Sequence, residues 1–311
     1  MLYADSLESI GRTPLVELHH YSPKPGVRLF AKLEGQNPTG SVKDRIAREM
    51  VLAAERDGRL RQGDTLVAAS TGNTGIALAM VGRLRGYTVR VVMPENVAPE
   101  IMSSLAAFGA QVERVPAQQG MRRAIDLARE LAGREGWLSL DQFSDPDNAR
   151  AHYETTGREI LEELPQVDVF VAGLGTGGTL MGVGRRLKEA NPRTQVIAAE
   201  PYPGSQLQGL RSLAEGFIPP ILDLGLLDGK ILVRSGPAFR AAAELMRREA
   251  IFAGVSSGAV LHAALKVAQR LSRANMVLLL ADSGWKYLST NLWTAPPPAD
   301  QSEELDDIVW W

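Results

Sequence analysis

Seven apolar runs rich in β-branched residues, separated by helical patterns, constrain this chain more than any other feature. Residues 27–33, 65–69, 87–93, 111–115, 167–172, 195–199 and 276–281 read as buried strands. Between them, 46–56, 74–85 and 122–131 place apolar residues at helical spacing. Such alternation favours parallel sheets covered by helices on both faces, an α/β fold. Gly86 and Gly109 stand where helices should end before the next strand. With 311 residues, 45% of them hydrophobic, the chain can build one large α/β unit or two modest ones.

Several function classes drop out. A net charge of −2 provides no basic face for nucleic acid. The absence of cysteine removes disulfides, thiolate nucleophiles and thiolate metal sites. His19 and His20 are adjacent while His152 and His262 lie far off, so metal-ligand spacing is missing and no metal is expected. No signal-like run opens the chain, and no stretch approaches the ~18 apolar residues of a membrane span, so a cytoplasmic protein is expected. After Pro296-Pro297-Pro298 comes an acidic tail ending Ile308-Val309-Trp310-Trp311. Its two tryptophans favour docking on a protein surface over fraying.

Three pieces carry chemistry. Gly173-Leu174-Gly175-Thr176-Gly177-Gly178-Thr179 joins a strand to a helix. Glycines let backbone N–H groups turn inward at the helix's positive end, where phosphate binds; a tight turn would look the same. The spacing departs from the dinucleotide fingerprint and no P-loop lysine follows, which points to a smaller phosphorylated molecule. Ser70-Thr71-Gly72-Asn73-Thr74-Gly75 also opens a helix, and its hydroxyls and carboxamide suit either a carboxylate or simple helix capping. In Asn37-Pro38-Thr39-Gly40-Ser41-Val42-Lys43, the lysine alone is a surface charge. Beside a small-phosphate site it becomes a candidate Schiff-base lysine.

The order of these pieces resembles the fold type II (β-family) pyridoxal-phosphate enzymes, which are tryptophan synthase β-like. The match is closest to the cysteine synthases and runs from Gly11-Arg12-Thr13-Pro14-Leu15 to Tyr287-Leu288-Ser289-Thr290. Residues 141–148 and Ala151-His152-Tyr153 look like the B-type. The resemblance implies pyridoxal 5'-phosphate as cofactor. It assigns Lys43 as the lysine that binds the cofactor and serves as base, and Gly175, Thr176, Gly177, Gly178 and Thr179 as the phosphate loop. Asn73 matches the residue at the cofactor's 3′ oxygen, and Ser256 the one facing its pyridine nitrogen. Ser70, Thr71, Thr74 and Gln142 match the substrate-carboxylate grip, although the family usually has Thr-Ser where this chain has Ser70-Thr71. Arg211, in a stretch similar to the phosphoserine-using branch, is expected to read an anionic leaving group.

The implied reaction is β-replacement on O-acetyl-L-serine or O-phospho-L-serine through an α-aminoacrylate, giving L-cysteine. Sulfide, thiosulfate or a thiocarboxylated carrier protein would supply the sulfur. A homodimer follows from the family, with a smaller mobile domain at 38–148, a larger one at 1–37 and 149–295, and a tail at 296–311 that covers the active-site mouth. The alternatives are a serine/threonine dehydratase, a cystathionine β-synthase-like enzyme, or an inactive amino-acid-binding relative. Retention of Lys43, Asn73 and Ser256 weighs against the last of these.

Overall fold

The computed structural model describes residues 2–205, 207–294 and the backbone of 308–310. In chain order its elements begin with β1 (Leu15–Glu17), β2 (Val27–Leu33), α1 (Lys43–Arg56), β3 (Thr65–Ala69), α2 (Asn73–Arg85), β4 (Thr88–Pro94) and α3 (Pro99–Ala107). Then come β5 (Gln111–Val115), α4 (Gly120–Glu135), β6 (Leu138–Ser139), α5 (Pro146–Ala151), a π-helical stretch (His152–Gly157) and α6 (Arg158–Glu163). The order continues with β7 (Val169–Gly173), α7 (Gly178–Ala190), β8 (Gln195–Pro201), β9 (Gly229–Val233), α8 (Ser235–Glu249), α9 (Val255–Ala268), β10 (Ala274–Leu280) and β11 (Ile308–Trp310). None of the described helices is long and apolar enough to cross a membrane.

The chain divides into two compact units. The smaller comprises residues up to Ile10 and Asn37–Asn148. Its sheet, ordered β5-β4-β3-β6, is parallel throughout. Helix α2 is buried from Thr74 to Gly82 because these residues are apolar or small on every face, and its last turn is exposed. It stops at Gly86, whose φ of +80° closes the helix in the left-handed conformation glycine tolerates best. The sequence expectation placed all of 1–37 in the larger unit, but the segment up to Ile10 groups with the smaller one. Leu7 and Ile10 enter its core, and Arg48 on α1 donates to both of their carbonyls.

The larger unit comprises Gly11–Gln36 and the residues from Ala149 on. Its sheet runs β1-β2-β10-β7-β8-β9-β11, with β2 through β9 parallel and β1 and β11 antiparallel at the two edges. Strands β7 and β10 are buried on both faces, which explains their continuous apolar sequence. Of the expected tail, only Ile308–Trp310 lie within the described residues. They pair with Gly229–Ile231, so Trp310 stands at the start of β9, at the opposite end from Val233. In a parallel sheet the loops that bind ligands leave the carboxyl ends of the strands. These three residues therefore cap a sheet edge instead of covering that end, and the rest of the tail lies outside the described residues.

Candidate active site

In the smaller unit, Lys43 is the first residue of α1 and is half-buried, followed by fully buried Asp44 and Arg45. Asp44 shapes the loop that delivers it. Its carboxylate accepts the Thr39 N–H at 2.7 Å and a short bond from the Thr39 hydroxyl, folding the segment back through Gly40 at φ +81°. A carboxylate in the first turn also suits the positive end of the helix. Sequence reasoning passed over Asp44 because a helix-start aspartate ordinarily faces solvent.

The second loop distributes its hydroxyls unevenly. Ser70 is buried, and its oxygen accepts the N–H groups of Gly72 (3.2 Å) and Gly75 (3.0 Å), satisfying donors at the start of α2. Thr71 is exposed and Asn73 half-buried. The buried Thr74 hydroxyl donates to Gln142 Oε1 at 2.7 Å, and Asn148 Nδ2 holds the Gln142 carbonyl at 2.7 Å. Ser70 is thus occupied inside its loop, while Thr74 and Gln142 form one hydrogen-bonded pair.

In the larger unit, Gly175–Thr179 link β7 to α7. Gly177 takes φ +89°, which turns the chain into the helix, and the Thr176 hydroxyl accepts the Gly178 N–H at 3.3 Å. The segment 207–211 lies against this turn. A Cβ on Gly175 would stand 2.7 Å from the Gly209 carbonyl oxygen, and Arg211 N–H donates to the Leu174 carbonyl at 2.8 Å. Ser256, buried in the first turn of α9, brings its hydroxyl to 4.0 Å from where a Gly209 Cβ would lie. Thr179 Oγ1 lies 3.2 Å from Nε2 of buried His152, whose Nδ1 lies 3.0 Å from Thr156 Oγ1. The π-helical stretch carrying His152 packs closely on α7. A Cβ on Gly182 would fall 2.1 Å from the Ala149 carbonyl oxygen and 2.6 Å from His152 Cβ. The sequence marked His152 only through its resemblance to the B-type and gave no sign of its contact with Thr179 or of the packing of Gly209 on Gly175, which the fold brings about.

Arg211 is half-buried, with its guanidinium 5.4 Å from the Phe217 ring centroid. Burial pulls its pKa below the ordinary arginine value and Glu215 raises it. Arginine remains charged at any physiological pH. Among the described residues no group of His, Asp and Glu is arranged to hold a metal ion.

These parts fit pyridoxal phosphate. The glycines at 175 and 177 let the turn pack against Gly209 and Leu222 where a side chain would collide, and the opening turn of α7 presents backbone donors of the kind that hold a phosphate. The neutral Ser256 hydroxyl beside Gly209 suits an uncharged pyridine nitrogen.

The comparisons agree with this fit. Residues 7–282 match the model of the family described as pyridoxal-phosphate dependent enzyme. Cysteine synthase B of Escherichia coli is 41% identical over 286 residues, covering 92% of this chain and 94% of the relative. Cysteine synthase B of Pseudomonas aeruginosa is 40% identical and covers 94% and 98%. Among solved structures, an O-ureido-L-serine synthase superposes with TM-score 0.90 at 37% identity, covering 97% of this chain and 98% of its own. A cysteine synthase from Entamoeba histolytica also gives 0.90, at 34% identity, covering 96% and 93%. The chain therefore belongs to the pyridoxal-phosphate-dependent enzyme family, in its cysteine synthase branch.

Proposed function

We propose that this enzyme makes L-cysteine by replacing the β-substituent of an activated L-serine with sulfur, accepting O-acetyl-L-serine and favouring O-phospho-L-serine through Arg211. The observation that carries the reading is the glycine-lined turn opening α7, packed against Gly209, which in turn lies near the Ser256 hydroxyl. When bound, pyridoxal phosphate supplies an electron sink for the carbanion at the substrate Cα. Lys43 would hold the cofactor and, once its Nζ is displaced by the incoming amine, take the Cα proton there. The backbone of Gly175–Thr179 and the Thr176 and Thr179 hydroxyls would bind the phosphate. Asn73 would donate to the 3′ oxygen of the cofactor. A serine, not a carboxylate, at the ring nitrogen would leave that nitrogen without a proton, favouring elimination over transamination. Thr71, Thr74 and Gln142 would hold the substrate carboxylate, with Ser70 keeping the loop in shape.

Arg211 supports the phosphorylated ester because a half-buried guanidinium over an aromatic ring offers a rigid, charged fork to phosphate oxygens. Losing such a contact should cost about 2–4 kcal/mol in transition-state binding, some 30- to 800-fold in kcat/KM. The test is the kcat/KM of parent and Arg211→Ala on both serine esters. A loss confined largely to O-phosphoserine supports the assignment, and equal losses refute it. On family membership we further infer a cytoplasmic homodimer with a mobile smaller domain. The sulfur would arrive as sulfide, thiosulfate or the thiocarboxylate of a carrier protein.

A further inference from the structure

We propose that Glu200 is a positioning residue for leaving-group recognition, fixing the segment that carries Arg211. The specificity part rests on the Arg211 reading above; the positioning part does not.

Glu200 is 1% exposed, near the end of β8, in a strand whose residues 196–199 are all apolar and buried. An apolar side chain would suit that position by burial alone, so a carboxylate there calls for specific partners. It has them. Oε1 accepts the Leu213 N–H at 2.8 Å and the Ser212 hydroxyl at 3.1 Å, and Oε2 lies 2.7 Å from Nζ of Lys230 on β9. On the other side of Arg211, its own N–H is held by the Leu174 carbonyl, and Gly209 packs its carbonyl against Gly175. The backbone is therefore pinned immediately before and after Arg211, whereas residues 214–218 are exposed.

Bonds to an ionised acceptor are about twice as strong as neutral ones, and Lys230 balances the buried charge. Removing the carboxylate leaves the Leu213 N–H and Ser212 hydroxyl without this acceptor and frees one side of the pin. A guanidinium reads phosphate by direction as well as charge, so a looser backbone weakens the charged ester more than the neutral one.

The test uses Glu200→Ala, Glu200→Gln, Arg211→Ala and the Glu200→Ala/Arg211→Ala double variant. It combines amide hydrogen exchange of the apoprotein with steady-state kinetics on both serine esters. Glu200→Ala should speed exchange at Leu213 and Arg211 by about 10-fold or more, the loss expected for hydrogen bonds to a charged group, while β7 and β8 stay protected. KM for O-phosphoserine should rise more than KM for O-acetylserine, with kcat changing less than either. Glu200→Gln keeps an acceptor oxygen and should fall between parent and Ala; it replaces Glu200→Ala in every comparison if the latter does not fold. In the Arg211→Ala background the Glu200 substitution should add no further discrimination between esters. Unchanged exchange at Leu213 overturns the proposal, as does an equal rise in KM for both esters when Arg211→Ala does discriminate. If Glu200→Ala loosens Leu213 while Arg211→Ala affects both esters equally, the leaving-group reading falls and the positioning role stands.

Discussion

Replacing Gly175 by alanine tests the cofactor turn at its tightest point. Gly175 is not among the residues of positive φ, so alanine meets no intrinsic backbone strain there. The penalty is the contact of the new Cβ with the Gly209 carbonyl oxygen at 2.7 Å, a backbone atom that cannot swing away as a side chain would. Relief needs the turn and segment 207–211 to part by a few tenths of an ångström or more, yet Arg211 N–H ties that segment to the Leu174 carbonyl. Overpacking of this kind costs about 1–3 kcal/mol. In the apoprotein the lower unfolded-state entropy of alanine returns about 0.4–1 kcal/mol and parting of the turn from segment 207–211 relieves part of the rest, so the apoprotein should lose no more than about 2 kcal/mol. Cofactor binding requires the turn in its tight form and should bear most of the strain, weakening by about 5- to 150-fold. Titrating apoprotein with pyridoxal phosphate measures this, and thermal unfolding without cofactor supplies the control. An unchanged dissociation constant would refute the reasoning, as would equal weakening for phosphate-free pyridoxal.

Lys43→Ala should fold and bind pyridoxal phosphate without the visible absorption of the lysine-bound cofactor, and activity should fall by at least ~100-fold, as for loss of a general base; parent-like absorption and turnover would remove Lys43 from its role. Ser70→Ala should lower stability by about 1 kcal/mol through the lost cap on the Gly72 and Gly75 N–H groups. Thr71→Ala should leave unfolding unchanged and raise substrate KM; the reverse pattern in thermal unfolding and kinetics would exchange their roles. Truncation after Pro298 removes β11 from the β9 edge, and an open edge should increase self-association in sedimentation; an unchanged sedimentation profile would argue against edge capping.

Strands β7 and β10 were legible because burial on both faces forces an apolar sequence, whereas β5, expected at 111–115 as a buried strand, is a strand whose side chains are mostly exposed. Strand β6 has two residues and β1 three, too few for a pattern. Helix α8 opens with Ser-Gly-Pro, which reads as a break until the chain is seen to start a helix there. The π-helical stretch depends on α7 fitting against it through Gly182, a packing fact no local pattern reports. The same divide separates the site residues. The phosphate turn stood out because its chemistry is local to one segment, and Lys43 became legible only from its order along the chain relative to that turn. Asp44 and Glu200 look like surface charges, as does Lys32, which is fully buried in β2 with Glu159 at 3.0 Å. The partners of Glu200 and Lys32 lie on distant segments, and only the fold brings them together.

The most direct measurement of the central claim follows the two halves of the reaction separately. Cofactor-loaded protein is mixed with O-acetyl-L-serine without a sulfur donor, and sulfide is added afterwards. A β-replacement enzyme releases about one equivalent of acetate per active site in the first step and forms L-cysteine only after sulfide arrives. Continuous acetate release with pyruvate and ammonia would identify a dehydratase instead, and no acetate release from either step would contradict the account altogether.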